Sequence, residues 1–211
     1  MKRIIFATGN QEKMKEIRQI MVGVPVEVCS MKEAGVHCEV EENGKTFSEN
    51  ARIKADGIAG VLKKMYQEAG KEYTDIVLAD DSGLEIDALN KEPGVYSARY
   101  MGEDTPYHEK NRNLVSRLDG VPMEKRTARF VCAIAAVLPD GSVIDTQATI
   151  EGYIGYEEKG ENGFGYDPIF YVPEYNCTTA ELSMEQKNKI SHRGKALTAM
   201  KEELIKRAFI V

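Results

Sequence analysis

The sequence predicts an α/β chain. Short apolar runs suited to buried strands alternate with segments whose apolar residues recur at helical spacing, and turn-forming residues mark each change of period. Residues 3–7 and 76–79 read as buried strands, and residues 130–138 form the strongest strand of the chain. The tight turn Pro139-Asp140-Gly141-Ser142 joins that strand to a hairpin partner at 143–150. At 211 residues the chain fits one domain, 1–211, able to remove about 70% of its unfolded surface from water.

Thr8-Gly9-Asn10 leads from the first strand into a helix over 11–22, with Asn10 as N-cap and Met14, Ile17 and Met21 as its buried stripe. The N-terminus of that helix, with Lys13 in its first turn, is a ready anion site. A second strand follows at 24–29, then a polar, acidic loop at 33–44. Thr46-Phe47-Ser48-Glu49 matches a capping box, opening a helix to Met65 or slightly beyond with Phe47, Ala51, Ile58 and Leu62 on one face. Asn50 and Lys54, four apart, lie one above the other beside that stripe.

The apolar run 76–79 stops at Asp80-Asp81-Ser82-Gly83. These local residues favour a turn, with Gly83 supplying a positive φ, over the alternative that the two carboxylates hold a hard cation. Pro93-Gly94 makes a turn, residues 95–100 alternate weakly, and a helix over 109–118 turns Leu114, Val115 and Leu118 inward. Residues 163–170, Gly-Phe-Gly-Tyr-Asp-Pro-Ile-Phe, form a loop carrying three aromatic rings, which either pack in the core or offer a face to a planar base. A short helix over 179–190 bears Lys187 and Lys189. Ser191 caps a last helix, in which Leu197, Met200, Leu204 and Ala208 face inward. His192, Arg193 and Lys195 crowd its first turn, where the helix dipole disfavours cations; breaking that local rule points to a bound anion.

A net charge of -6 argues against non-specific binding of nucleic acid, which needs a basic footprint. The four cysteines, Cys29, Cys38, Cys132 and Cys177, lack paired metal-ligand spacing and suit a reducing compartment. No apolar run is long enough to span a bilayer, and the first ten residues are too poor in apolar side chains for a signal peptide. The expectation is a soluble cytoplasmic protein without membrane or nucleic-acid partners.

Six segments in order carry a resemblance: Ala7-Thr8-Gly9-Asn10-x-x-Lys13, Thr46-Phe47-x-Glu49-Asn50-Ala51-x-x-Lys54-Ala55, Ala79-Asp80-Asp81-Ser82-Gly83-Leu84, Pro93-Gly94-Val95-Tyr96-Ser97-Ala98-Arg99, Gly163-Phe164-Gly165-Tyr166-Asp167-Pro168-Ile169-Phe170 and Ser191-His192-Arg193-Gly194-Lys195-Ala196-Leu197. Together they closely resemble the inosine triphosphate pyrophosphatase-like family, which includes the bacterial XTP/dITP diphosphatases. The resemblance implies an elongated mixed central sheet flanked by helices, two lobes with a cleft, and a homodimer. It implies a Mg²⁺-dependent reaction in which water attacks the α-phosphorus of ITP, dITP or XTP and pyrophosphate leaves. By the same resemblance Asp81 is general base and metal ligand, with Glu42 the second metal contact and Glu41 its fallback. Thr8, Gly9, Asn10, Gln11, Glu12, Lys13, Lys54 and Ser82 would hold phosphates and sugar. Phe164, with Gly165 and Tyr166 in its loop, would stack on the base, framed by Asp167, Lys187, His192 and Arg193.

Lys91 stands where glycine is common, and residues 153–162, with their Glu-Glu-Lys run, follow no close pattern; both bear on loop conformation and selectivity. Two rivals are a nucleotide-binding regulator without turnover and a metal-dependent phosphohydrolase of damaged pyrimidine nucleotides.

Overall fold

A computed structural model describes residues 3–207 and 209–210. The elements run β1 (Arg3–Phe6), α1 (Gln11–Ile20), β2 (Glu27–Ser30), α2 (Phe47–Glu68), β3 (Ile76–Ile86), α3 (Tyr107–Arg117), β4 (Thr127–Val137), β5 (Val143–Ile154), β6 (Phe170–Val172), β7 (Cys177–Thr178), α4 (Met184–Ile190) and α5 (His192–Lys206). One mixed sheet has the strand order β2-β1-β3-β4-β5-β6-β7. β1 pairs in parallel with β2 and β3, and β6 pairs antiparallel with β5 and β7. The chain divides into two compact units.

The first unit takes residues up to Asp81, then Cys132–Gln147, then the chain from Ala196 onward. Its core is mainly aliphatic: Ile4, Ile5, Met14, Ile17, Ile58, Leu62, Val77, Leu78, Ile134, Leu197, Met200 and Leu204 are all buried with the ring of Phe6, while Ala208 lies outside the described residues. β1 sits between β2 and β3, with Phe6 level with Ser30 and Leu78, and both faces of these strands are covered. Parallel pairing aligns the carboxyl ends of β1 and β3, so the turn after Phe6 and the residues after Leu78 emerge together; Ala7 N donates to Leu78 O at 2.7 Å. Asn10 caps α1, its side chain accepting from the amides of Glu12 and Lys13. Thr46 caps α2 by accepting from Glu49 N at 3.1 Å, whereas Glu49 reaches back to Lys45 N, one residue beyond the Thr46 amide that a full capping box would use. α2 is tied to the start of β5 by Arg52 Nε on Asp145 at 2.8 Å and Ser48 Oγ on Gln147 at 3.1 Å.

The second unit comprises Ser82–Val131 and Ala148–Lys195. Leu84, Ile86, Leu114, Leu118, Phe130, Ile150, Ile154, Ile169 and Phe170 form its core, with Val115 partly buried against them. Arg126, only 1% exposed, donates through Nε to Ile154 O at 2.8 Å, through Nη1 to Leu118 O at 3.1 Å and through Nη2 to Gly155 O at 2.7 Å. Its planar fork thus joins the end of α3 to the end of β5, and the exposed ring of Tyr156 covers the guanidinium at 4.5 Å.

Several local expectations are corrected. The carboxylate run at 80–83 is not a turn. β3 continues through it to Ile86, and Gly83 is absent from the glycines with positive φ. α1 ends at Ile20 rather than residue 22, β2 begins at Glu27 rather than residue 24, and β5 extends to Ile154. Residues 94–96 form a 3-10 turn instead of alternating, and the helix expected over 179–190 is split by Leu182 and Ser183, where Ser183 caps α4. Lys91 has a φ of +70°, the left-handed region that favours glycine, so the departure there keeps the backbone shape at a small conformational cost.

Replacing Arg126 by lysine keeps the charge but supplies no fork for three separated carbonyls. The variant is expected to lose on the order of 2–4 kcal/mol of stability in urea unfolding.

Candidate active site

Two adjacent carboxylates in the middle of a strand must be matched by groups from elsewhere, since an ionised carboxylate away from water costs several kcal/mol unless it is paired and hydrogen-bonded. Successive strand residues face opposite ways, so the two meet different partners. Asp80, 1% exposed, forms an ion pair with Lys13 of α1 at 3.0 Å. Asp81 accepts from Asn50 Nδ2 of α2 at 3.0 Å. One turn further along α2, Lys54 donates to Asp80 O at 3.2 Å and pairs with Glu42 at 2.7 Å.

Asn50 also accepts from Gly44 N at 2.8 Å, so one buried amide holds both the strand carboxylate and the loop that carries Glu42. This residue was noted in the sequence for its spacing from Lys54 but given no role. The signal that marked it was a polar side chain beside an apolar stripe. Glu41, by contrast, is exposed, and Glu42 acts electrostatically on Asp81.

Burial pushes the Asp81 carboxyl up to about 6; Asn50 opposes the rise, Glu42 adds to it, and Lys54 and Lys13 oppose it. Lys54 is held above its usual range because the charges of Asp80 and Glu42, with the Glu42 hydrogen bond, outweigh burial. Glu42 and Asp81 fit a hard divalent cation, which takes one or two carboxylates and completes its shell with water and phosphate oxygens.

The β1–α1 turn lies beside this set. Thr8 is buried and accepts from Asn10 N at 3.2 Å. Gly9, Asn10, Gln11 and Glu12 are exposed, and Glu12 pairs with Lys15 at 2.7 Å. The helix N-terminus is thus open to solvent with Lys13 at its first turn.

Ser82 opens the second unit and brings a second set of residues with it. Its Oγ accepts from Arg193 Nη2 at 3.2 Å. Phe164 is half-buried under two cations, with Lys187 Nζ 5.0 Å and Arg193 Cζ 5.7 Å from its ring centroid. Asp167 is buried and pins the loop: it accepts from Phe164 N at 2.8 Å, Thr179 Oγ1 at 2.8 Å and Lys187 Nζ at 2.7 Å. Gly163 has a φ of +75°, and a Cβ there would lie 2.2 Å from Asp167 Oδ2, so only glycine admits this close approach.

The three rings of the loop have two fates. Tyr166 and Phe170 belong to the core, with Tyr166 Oη donating to Ser97 O at 2.7 Å, while Phe164 stays out of it. The basic first turn of α5 divides likewise. Ser191 Oγ accepts from Gly194 N at 3.0 Å, the buried His192 ring stacks on Phe130 at 4.9 Å, and Arg193 reaches Phe164. Lys195 is exposed and donates to Thr149 O at 3.2 Å, away from this set.

A family model described as the Ham1 family matches residues 4–203. The chain belongs to the Ham1 family. It is 48% identical over 207 residues to a dITP/XTP pyrophosphatase of Caldanaerobacter subterraneus subsp. tengcongensis, covering 98% of each chain. It also matches the structure of the Staphylococcus aureus Ham1 protein with a TM-score of 0.83 and 39% identity, covering 98% of this chain and 100% of that one. A HAM1 protein from Coxiella burnetii matches with a TM-score of 0.82 and 38% identity, again over 98% of this chain and 100% of the other.

The raised Asp81 carboxyl yields a sign for the metal-free protein. A carboxyl held at about 6 when folded, against an ordinary value of 3.8, costs the protein stability as pH rises through that window. Asp81→Asn should therefore stabilise the protein in a chelator at pH 7, by at most about 3 kcal/mol, and lose that gain near pH 4; paired thermal melts at the two pH values check it.

Proposed function

We propose that the chain hydrolyses the deaminated purine nucleoside triphosphates ITP, dITP and XTP to the monophosphate and pyrophosphate, as one catalytic domain that uses Mg²⁺. The relative cited above carries the name dITP/XTP pyrophosphatase and matches from end to end. The single observation that carries the reading is the meeting of Asp81, held by Asn50, with Lys54 and its partner Glu42 and with the Lys13–Asp80 pair. A triphosphate brings several negative charges, and these residues supply cations and a cation-holding acidic pair at one place.

In this reading Lys13, Lys54 and the exposed amides at the start of α1 bind phosphate oxygens, and Glu42 and Asp81 hold the ion. Mg²⁺ would offset phosphate charge and ease deprotonation of the attacking water. Asp81 orients that water and accepts its proton, and Asn50 fixes the rotation of the carboxylate while it does so.

Ser82 lies in β3 and its Oγ accepts from Arg193. Phe164 offers a ring to stack on the base, and Lys187 and Arg193 at that ring are donors without acceptor capacity. They suit the 6-oxygen of hypoxanthine or xanthine. The 6-amino group of adenine would leave a donor facing donors, which costs about 1–3 kcal/mol. The homodimer implied by the resemblance forms part of the same proposal.

Incubation with ITP and Mg²⁺ should release pyrophosphate, and orthophosphate alone would overturn the reading in favour of a γ-phosphatase. Asp81→Asn should lower turnover by about 10² or more while IMP binding is largely kept. ATP should show a kcat/KM about 10 to 100 times below that of ITP, and Lys187→Met or Arg193→Met should narrow the gap.

A further inference from the structure

Residues 153–162, with their Glu-Glu-Lys run, lead straight into the loop that carries Phe164. Their backbone is tied down on one side: Gly155 N donates to Ile169 O at 2.8 Å, Lys159 N to Pro168 O at 2.9 Å and Asn162 N to Ala180 O at 2.9 Å. Glu158, on the same segment, faces α3. Its carboxylate accepts from Asn111 Nδ2 at 2.7 Å and pairs with His108 Nδ1.

Asn111 is 1% exposed, and the same Nδ2 donates to Gly165 O at 3.2 Å. One turn earlier on α3, the Tyr107 ring lies 3.6 Å from where a Cβ on Gly165 would stand and meets Tyr166 edge-on at 5.3 Å. Tyr107 and Asn111, at i and i+4, therefore both press on the two residues that follow Phe164.

The orientation of the Asn111 amide is forced. Turned over, its oxygen would face the Glu158 carboxylate and the Gly165 carbonyl, both acceptors. As it stands, Asn111 Oδ1 is buried and has no hydrogen-bond partner among the described residues, which costs free energy. A polar side chain kept at such a cost for two bonds to a loop points to the loop's placement as what it serves. Gly165 has a φ of +70° and no side chain to limit it, so Phe164 could pivot about it. Asp167 fixes the amide on one side of Phe164, and Asn111 fixes the carbonyl of the next residue.

We propose that Asn111, clamped by Glu158, is a positioning residue for base recognition: by fixing the Gly165 carbonyl it sets the pitch of the Phe164 ring. The proposal rests on the reading of Phe164 as the base platform. In this scheme segment 153–162 is a strap joining α3 to the recognition loop, and its acidic run supplies the clamp. Affinity for the base then depends on α3, whose side chains need not touch the nucleotide.

The test uses the full-length protein and two probes, IMP for the base side and pyrophosphate for the phosphate side, with calorimetry for binding and pyrophosphate release from ITP for kcat and KM. Asn111→Ala should weaken IMP binding about tenfold, the loss of one to two hydrogen bonds, and leave pyrophosphate affinity within about twofold. KM for ITP should rise by a similar factor with kcat changed less than about threefold. Glu158→Gln keeps an acceptor for Asn111 and should retain most of the affinity, whereas Glu158→Ala should reproduce the Asn111→Ala loss. The two Glu158 variants carry the test if Asn111→Ala does not fold. Equal losses for both probes, a fall in kcat alone, or unchanged IMP binding would overturn the proposal in favour of a purely structural bond. A wild-type protein that binds pyrophosphate but not IMP would instead remove the base-platform reading, and the proposal with it, before any variant is made.

Discussion

The need to match two consecutive carboxylates within a strand organises the first unit of this protein. Asp80 is 1% exposed and Asp81 is half-buried, both inside β3. Each must be met by groups brought from far along the chain, and those groups come from the two helices whose starts are fixed by caps. Asn10 sets the phase of α1 so that Lys13 arrives at Asp80, and Thr46 sets the phase of α2 so that Asn50 and Lys54 arrive at Asp81, Glu42 and the Asp80 carbonyl. The caps, the charges and the strand thus constrain one another. Burial still holds the Asp81 carboxyl above its ordinary value, at about 6, against the opposing bond from Asn50 and the charges of Lys54 and Lys13.

The elements with strong local signals were legible. Asn10 and Thr46 announce helix starts, and the alternation of apolar run and helical stripe places β1, α1, α2, β3 and β4. The largest local error, the turn expected at 80–83, has a physical cause. Asp and Ser disfavour strands because they bond to nearby backbone, and Gly because it loses more conformational freedom, but that preference is about 1 kcal/mol and yields to the ion pair and hydrogen bond supplied by residues 67 and 31 positions away in sequence. No window centred on Asp80 contains Lys13 or Asn50. The same reasoning explains why Asn50 received no role. Its neighbours describe only a polar residue beside an apolar stripe, and the bonds to Gly44 and Asp81 exist only once loop, helix and strand have assembled.

The aromatic loop shows where composition reads correctly but does not sort. Three rings on a glycine-rich segment had to choose between core and ligand, and the chain uses both answers. Tyr166 and Phe170 take the core, and the glycines on either side of Phe164 let the backbone present the remaining ring under Lys187 and Arg193. The basic first turn of α5 sorts in the same way. The helix dipole disfavours all three cations equally, so the rule broken there identifies the turn but not the residue. Only packing separates His192, stacked on Phe130, and the outward Lys195 from Arg193, which reaches both Ser82 and Phe164.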